Sequence, residues 1–358
     1  MASAPPVRVL SFSPGLVLHN VQKEQWDDPM RKTKLRAGIF VAGLLAILAA
    51  SVIPSRAQTS AQNWPQRPVK FIVPFGPGAG ADIGARLLAE RLPARWGKPL
   101  VIENRPGGDG LVAIQAFLSA NDDHTLLFSP SGNFTVHPYQ YDKLPYTPAD
   151  LVPIARVSNT ILAVGVPESM KVGTMAEWVT RARAEPGKFN AAVVPGITEF
   201  TFDYFVKTAG LTLQKVPYRD IVQAATDLGE GRLQVYMSSY AILQPQTEAL
   251  RIRPLVVNGR ERAPMLPNVP TAREAGFPSL EVEGLVGLFG PKGMASALRE
   301  KIADGVVVAT RDPAVSARLS ATAQAVNPGR PAELAASIEG QRAQIAKIAQ
   351  ELGIKPKQ

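Results

Sequence analysis

The apolar positions along the chain alternate between short continuous runs and longer stretches with a helical period. Runs at residues 69–75, 100–104 and 125–129 predict strands, and the segments between them predict helices. A βαβαβ unit with short connections indicates a parallel sheet covered by helices. Ligand sites of such sheets lie beyond the carboxyl ends of the strands, where the loops 76–81 and 105–110 are expected.

The alternation begins again after residue 160. Further strands are predicted at 161–166, 190–194, 214–217, 233–237, 254–257 and 285–289. Further helices are predicted at 175–184, from Glu199 onward, at 221–228 behind an Asp220 cap, at 295–310 and at 331–352. About 300 residues exceed the usual size of a single core, so the pattern favours two α/β lobes.

The N-terminal segment has the pattern of a secretory signal. Seven Lys and Arg against three Asp and Glu fall in residues 1–57, and four of the basic residues directly precede the apolar run 37–53. Ser55-Arg56-Ala57 then supplies small residues for cleavage, which predicts a mature start at Gln58 and export to the periplasm. An uncleaved anchor is the alternative. The 29 residues before Met30 suggest that translation starts there.

Composition excludes several classes of chemistry. The chain has no cysteine and three scattered histidines, His19, His124 and His137, which argues against disulfides, thiol catalysis and a metal site. The net charge is +9, and nearly half of it lies in the leader. No run of Lys and Arg with interleaved aromatic residues follows, so no nucleic-acid partner is expected.

A glycine-rich motif occupies the first strand-to-helix turn. Residues 76–81 match G-x-G-x-x-A, and Glu103 ends the next strand, where a dinucleotide fold keeps its ribose-binding acid. A NAD-dependent oxidoreductase is therefore one alternative, although Pro77 removes a backbone donor and export argues against a soluble nicotinamide cofactor. Such a turn also presents backbone N–H groups at a helix N-terminus, which suits a phosphate or carboxylate, or serves only as a tight turn.

Five segments in order resemble a known family: WPQRPVKFIVPFGPGAGADIGARLLAERL, VIENRPGGDG, HTLLFSPSGN with KLPYTPADLVPIA, VPYRDIVQAATDLGEGRLQVYM, and LPNVPTAREAGFP. From Trp64 onward the chain resembles the periplasmic substrate-binding receptors of tripartite tricarboxylate transporters, often called the Bug type. The resemblance implies an α/β, type II periplasmic binding protein fold with two lobes and a ligand cleft between them. It places lobe 1 at 58–162 and 284–358 and lobe 2 at 163–283, after an extension and signal peptide at 1–57.

The resemblance also implies a function. It describes a monomeric receptor that closes on a small carboxylate, catalyses no reaction, needs no cofactor or metal, and delivers its ligand to the membrane subunits of a transporter. A sensing accessory protein for a membrane signalling partner would use the same fold and pocket, and it is the more serious alternative to transport.

In lobe 1 the family's first loop donates backbone N–H groups to a ligand carboxylate. The corresponding residues here are Phe75, Gly78, Ala79, Gly80, Ala81 and Asp82, with Asp82 interpreted as capping the helix and fixing the loop. Ala81 stands where the family usually has Ser or Thr, so one hydroxyl donor is missing. Ser129, Ser131 and Asn133 follow the third strand as neutral donors.

In lobe 2 the sequence departs most from the family. The expected ligand residues are Pro195, Gly196, Ile197, Thr198, Tyr218, Asp220 and Ser239. Thr198 is expected to cap the next helix. Ile197 makes the pocket more apolar, which suggests a ligand with an apolar or aromatic body rather than citrate. The Asp220 carboxylate is expected either to repel an anionic ligand or to bind an amino group.

Overall fold

A computed structural model describes residues 63–357, and the predicted signal segment, its cleavage site and the proposed start at Met30 lie outside them. The strands are β1 (Val69–Val73), β2 (Leu100–Asn104), β3 (Thr125–Pro130), β4 (Leu151–Thr160), β5 (Leu162–Pro167), β6 (Asn190–Val193), β7 (Gln214–Pro217), β8 (Val235–Ser239), β9 (Ile252–Val257), β10 (Gly284–Pro291) and β11 (Gln324–Gly329). The helices are α1 (Gly80–Trp96), α2 (Leu111–Ala120), α3 (Gly132–Gln140), α4 (Met175–Ala184), α5 (Ile197–Thr208), α6 (Ile221–Gly229), α7 (Tyr240–Glu248), α8 (Ser296–Arg311), α9 (Pro313–Ala321) and α10 (Pro331–Leu352).

The first lobe is built on a six-stranded sheet with the order β11-β4-β10-β3-β1-β2. β1 pairs in parallel with β2 and β3, whereas β10 runs antiparallel to both β3 and β4. β4 therefore points the same way as β1, and its last residue, Thr160, lies at the edge where α1 and α3 begin. β11 is antiparallel to β4 and starts at that same edge with Gln324.

The second lobe is built on a five-stranded sheet with the order β7-β6-β8-β5-β9. β6 runs parallel to β7 and β8, so their carboxyl ends share one edge, and the antiparallel β5 starts there. Only Ile161 separates β4 of the first sheet from β5 of the second, and the chain returns between β9 and β10. The predicted α/β fold with two lobes is confirmed, and the limits at 162/163 and 283/284 stay a prediction.

Each lobe has its own buried core. The first is formed mainly by β1, β3, β4, α1 and α8, with Phe71 and Phe128 stacked at 5.8 Å between ring centroids. The second surrounds Trp178 of α4, which contacts Phe189 and Phe205. These apolar runs are the ones that predicted the elements. Within residues 63–357, no helix is both long and apolar enough to cross a bilayer.

Five elements were absent from the sequence prediction: α3, β4, α7, α9 and β11. The stretch after β3 was predicted as a polar loop, yet it contains α3, in which buried His137 and an internal Pro138 interrupt the apolar period. β4 also escaped prediction because Pro153 and Arg156 break its alternation. Arg156 is accommodated because its guanidinium donates to Asn327 and Ser337.

Helix α10 packs against elements of both lobes. Its Ile345, Ile348 and Ala349 form one buried cluster with Val136 of α3 and Phe200 of α5. Fully burying such a side chain contributes about 1.5–3 kcal/mol. This cluster therefore stabilises the arrangement in which the two lobes are in contact.

The first residues of α3 and α5 make a close contact between the lobes. A Cβ placed on Gly132 would lie 2.8 Å from Ile197 Cγ2, which is closer than side chains normally pack. Glycine at position 132 is therefore required by the close approach of Ile197 from the opposite lobe.

We expect Gly132→Ala to destabilise the protein by about 1–3 kcal/mol through overpacking, although alanine is ordinarily the better helix residue. Gly340→Ala on α10 is the matched control, because a Cβ there meets open space, and it should stabilise by about 0.5–1 kcal/mol. Denaturant unfolding measures both. In an Ile197→Ala background the cost of Gly132→Ala should largely disappear, and strict additivity would contradict the contact.

Candidate functional site

Three helices begin at the carboxyl ends of strands, and the starts of two of them, α3 and α5, touch across the junction between the lobes. α1 and α3 follow neighbouring strands of the first sheet, α5 follows β6 of the second, and Gly132 touches Ile197 between α3 and α5. None of the three has a side-chain cap: the capping positions are Ala79, Ser131 and Gly196. By contrast, α4 and α6 are capped by the side chains of Thr174 and Asp220. The uncapped N–H groups and helix dipoles place partial positive charge at these helix starts.

The loop before α1 uses part of its own donors. The Gly78 N–H donates to Asp82 Oδ2 at 2.9 Å, and the Ala79 N–H donates to the Gly76 carbonyl at 3.3 Å. Gly78 has a φ of 88°, a conformation that favours glycine. No described residue accepts a hydrogen bond from the N–H of Gly80 or Ala81. Gly78 and Ala79 thus use their N–H groups within the loop, whereas those of Gly80 and Ala81 at the helix start remain available. Phe75 packs on the first core and accepts a bond from Asn104.

Asp82 fixes this loop from inside the helix. Its side chain is only 1% exposed, and it accepts hydrogen bonds from Gly78, from Arg86 Nε at 2.9 Å and from Asn104 Nδ2 at 2.8 Å. Burial by itself would raise the pKa of this carboxyl, but the three hydrogen bonds together hold that pKa below its ordinary value. Because α1 starts at Gly80, the expectation that Asp82 caps the helix was wrong, whereas its expected contact with the loop is observed.

The polar side chains after β3 have partners within the first lobe. Ser129 is buried and donates to the Pro130 carbonyl, and Ser131 donates to Gln341 Oε1 at 2.7 Å. Asn133 Nδ2 donates to both the carbonyl and the carboxylate of Asp109, at 2.8 and 2.9 Å. These residues shape the junction, and their expected role as direct ligand donors stays a prediction.

Asp109, which lies between Gly108 and Gly110, brings a carboxylate to the junction. A Cβ on Gly196 of the opposite lobe would lie 4.0 Å from its Oδ1, and buried His137 Nε2 lies 3.4 Å from its Oδ2. Within the described part of the chain, Oδ2 is buried without a hydrogen bond. The loop conformation is demanding, since Asp109 itself has a φ of 51°.

A second acid, Glu199, lies in the first turn of α5. Burial raises the pKa of its carboxyl, and the negative charges of Asp203 and Asp109 raise it further, while Lys215 opposes them.

Of the other second-lobe residues, Gly196 is the buried N-cap position with a φ of 131°. Thr198 lies within the first turn of α5, so the expectation that it caps this helix was wrong.

The remaining predicted residues of the second lobe are occupied elsewhere. The Tyr218 hydroxyl donates to Asp227 Oδ2 at 2.6 Å. Asp220 Oδ1 accepts the N–H groups of Val222 and Gln223 as the α6 cap, which confirms the predicted cap and leaves that oxygen engaged. Ser239 is the N-cap residue of α7 and makes no side-chain cap.

Two other chemistries find little support among the described residues. Glu103 forms ion pairs with Lys70 and Arg105, and two of the six strands in its sheet run antiparallel, so the resemblance to a dinucleotide site ends at the glycine motif. His124 lies beside Asp122 and Asp123, but its Nε2 accepts the Gln66 N–H and its Nδ1 contacts Asp123. That histidine therefore has no free lone pair for a metal.

Sequence reasoning did not single out Asp109, Glu199 or Gln324. Asp109 was inside a quoted loop, and its position between two glycines was the available signal. Gln324 lies far along the chain, and only the pairing of β11 with β4 brings it to the junction.

Two cavities lie between elements of the two lobes, and the second of them is also lined by Gln324. One of about 600 Å³ lies between α5 and α10 and is lined by residues that include Arg183, Phe277 and Lys347. Another of about 400 Å³ lies along the two segments that connect the lobes, next to Thr160 and Arg260.

Comparison with known proteins gives a consistent family assignment. A family described as "Tripartite tricarboxylate transporter family receptor" matches residues 84–354. A UPF0065 protein from Pseudomonas sp. strain P51, in the tcbD-tcbE intergenic region, is 31% identical over 260 residues, which cover 71% of this chain and 77% of the relative. The protein BugT of Bordetella pertussis is 30% identical over 271 residues, covering 74% and 80% of the two chains.

Solved structures agree with the fold. The structure of R. palustris Rpa4515 with adipate superposes with a TM-score of 0.73 at 28% identity, covering 82% of this chain and 99% of that one. The periplasmic binding protein BugD superposes with a TM-score of 0.71 at 24% identity, with the same coverage. MatC from Rhodopseudomonas palustris, solved with malate, gives a TM-score of 0.69 at 24% identity, covering 80% and 99%.

Asp82→Asn should destabilise the protein by about 1.5–3 kcal/mol at pH 7, since hydrogen bonds to a buried charge are lost. Because folding lowers the pKa of Asp82, its stabilisation is present above the ordinary value of 3.8 and is lost as the pH falls below it. The cost of the substitution should therefore shrink in acid unfolding experiments at pH 3. Asp142→Asn, at a side chain 87% exposed, is the control and should have little effect at either pH. An equal cost of Asp82→Asn at pH 3 and pH 7 would contradict this reading.

Glu199→Gln should have the opposite pH dependence. Folding raises the pKa of Glu199, so stability decreases as the pH rises from the ordinary value of 4.5 through the raised one. The melting temperature of the glutamine variant relative to the parent should thus be higher at pH 7 than at pH 4. Glu339→Gln, on the exposed face of α10, is the control. A gain that is the same at both pH values would show that Glu199 is not perturbed.

Proposed function

Because the chain belongs to the tripartite tricarboxylate transporter receptor family, we propose that it is a periplasmic receptor that captures a small carboxylate between its lobes. We further propose that it acts as a monomer, with lobe limits at 162/163 and 283/284, and delivers the ligand to membrane subunits of such a transporter. The family description and the shared fold support this assignment.

The observation that carries the proposal is the presence of three uncapped helix N-termini at the carboxyl ends of strands, two in the first lobe and one in the second. The free N–H groups of Gly80 and Ala81 are donors, and a carboxylate offers acceptors at the positive ends of the helix dipoles. Since the donors come from both lobes, a ligand that binds all of them stabilises the closed arrangement.

The hydrogen bonds that a carboxylate can accept supply enough free energy to shift the lobes from open to closed. Moving an equilibrium from 99% open to 99% closed requires about 5.5 kcal/mol of differential affinity. Hydrogen bonds to a charged carboxylate contribute about 1.5–3 kcal/mol each, so two to four that form only in the closed state meet this requirement. The apolar cluster around Ile345 and Phe200 adds a contribution that does not depend on the ligand.

The junction also restricts the ligand. Asp109 and Glu199 bring negative charge close to it, which disfavours a tricarboxylate such as citrate. Ile197 presents an apolar surface, which supports the expectation of an apolar ligand body. The structural relatives were solved with adipate and malate, so we propose a dicarboxylate or monocarboxylate of similar size for this chain.

A thermal-shift screen of the purified protein tests the function. The panel contains adipate, malate, citrate, aromatic carboxylates, amino acids and NAD. A ligand at 100 times its Kd adds about 2.7 kcal/mol of stability, which raises the melting temperature by several degrees. We expect a rise with adipate-sized or aromatic carboxylates and a smaller one with citrate. A rise with NAD alone would contradict the proposal.

Ala79→Asp tests the location of the site. Ala79 has the extended backbone of a capping residue, so an aspartate there should accept the free N–H groups of α1 and stabilise the protein by about 0.5–2 kcal/mol. The same change should abolish the carboxylate response in the thermal-shift screen, because the N–H groups are occupied and the site carries a negative charge.

Thr174→Asp is the matched control for Ala79→Asp. It adds the same charge at the start of α4, a helix that already has a side-chain cap, and should leave the carboxylate response unchanged. An Ala79→Asp protein that keeps its carboxylate response would place the ligand elsewhere.

A further inference from the structure

Gln324 is a buried polar residue at the junction of the lobes. It is the first residue of β11, pairs in register with Thr160 at the end of β4, and is 1% exposed. One residue earlier, the Ala323 carbonyl accepts the N–H of Ile161, the residue through which the chain passes into the second lobe. Gln324 therefore lies against the segment that connects the two lobes.

Two hydroxyl groups lie beside the oxygen of its side-chain amide. Gln324 Oε1 accepts hydrogen bonds from Ser158 Oγ at 3.0 Å and from Thr160 Oγ1 at 3.3 Å. Its Nε2 is buried and has no hydrogen-bond partner among residues 63–357. Buried polar groups in folded proteins nearly always have a partner, so an unpaired amide nitrogen calls for an acceptor that the chain does not supply.

The amide nitrogen lies over the start of α1. A Cβ placed on Gly80 would lie 2.5 Å from Gln324 Nε2, so only glycine permits this approach. The N–H groups of Gly80 and Ala81 are also free at this point, and the capping residue Ala79 has no side-chain acceptor to offer. The start of this 17-residue helix therefore brings together backbone N–H donors and the Gln324 amide, and its capping residue supplies no acceptor for them.

We propose that Gln324 is a ligand-contacting residue whose amide N–H group and the first N–H groups of α1 bind one carboxylate together. This inference rests on the proposed function and adds to it a specificity residue from the C-terminal part of the chain. The planar carboxylate suits the arrangement, because one oxygen can accept from the helix and the other from the amide.

The pairing also connects the ligand to closure. The amide is held by Ser158 and Thr160 of β4, the strand that leads through Ile161 into the second lobe. A carboxylate bound to Gln324 is thus linked by hydrogen bonds to the segment about which the lobes must move.

Titration with formate, the smallest carboxylate, tests the shared site in ¹H–¹⁵N NMR spectra of the purified protein. The side-chain NH₂ signals of Gln324 are assigned by their loss in Gln324→Glu. We expect these signals and the Gly80 amide signal to shift together with a single Kd. Shifts of Gly80 alone would overturn the role of Gln324 and leave the proposed function intact. If neither signal moves, the carboxylate site at α1 is itself wrong.

Variants separate binding from structural support. Gln324→Glu keeps the shape and the two hydroxyl contacts but has no N–H, and it should weaken formate binding by about tenfold or more. Gly80→Ala leaves the glutamine chemically intact and displaces its amide, so it should weaken binding too. Gln234→Glu, at a glutamine that donates to Gly231 in the second lobe, is the matched control and should keep the parent Kd. A Gln324→Glu protein with a lower melting temperature and an unchanged Kd would show that Gln324 is only structural.

Discussion

Unpaired N–H groups at the start of a helix need an acceptor, and in this protein the junction between the lobes leaves several of them without one. α4 and α6 have threonine and aspartate at their capping positions, whereas α1 and α5 have alanine and glycine, and the α3 serine is turned toward Gln341. The side chains of Thr174 and Asp220 thus accept N–H groups at the starts of α4 and α6, whereas no side chain does so at the starts of α1, α3 and α5. Helix starts of the second kind can accept an anion, which is the basis of the proposed function.

The loop before α1 is held in place by its own side-chain contacts. Asp82 uses both oxygens to hold Gly78, Arg86 and Asn104, so the N–H groups of Gly80 and Ala81 stay in place without a ligand. Fixed donors reduce the entropy that binding must overcome. The second lobe contributes contacts of a different kind, with Ile197 against Gly132 and the apolar cluster along α10. Under the proposed function, polar contacts determine which ligand binds, while apolar contacts favour the closed arrangement.

Much of the fold could be predicted because its strands are continuous apolar runs and several helices keep a strict period. β2, β7, α4 and α10 appear with the predicted limits. α3 and β4 could not be predicted, because buried His137 and Arg156 depend on partners outside their own elements, Tyr146 and Asn327. The same limit applies to the site. Local turns identified the loop before α1, whereas Gln324 reaches the junction only through the pairing of β11 with β4.

The most direct test of the account is a crystal structure of the protein with the carboxylate that stabilises it most. The account predicts that a carboxylate oxygen lies within hydrogen-bonding distance, about 2.7–3.2 Å, of the N–H groups of Gly80 and Ala81. A carboxylate bound instead in the 600 Å³ cavity between α5 and α10, beside Arg183 and Lys347, would contradict it.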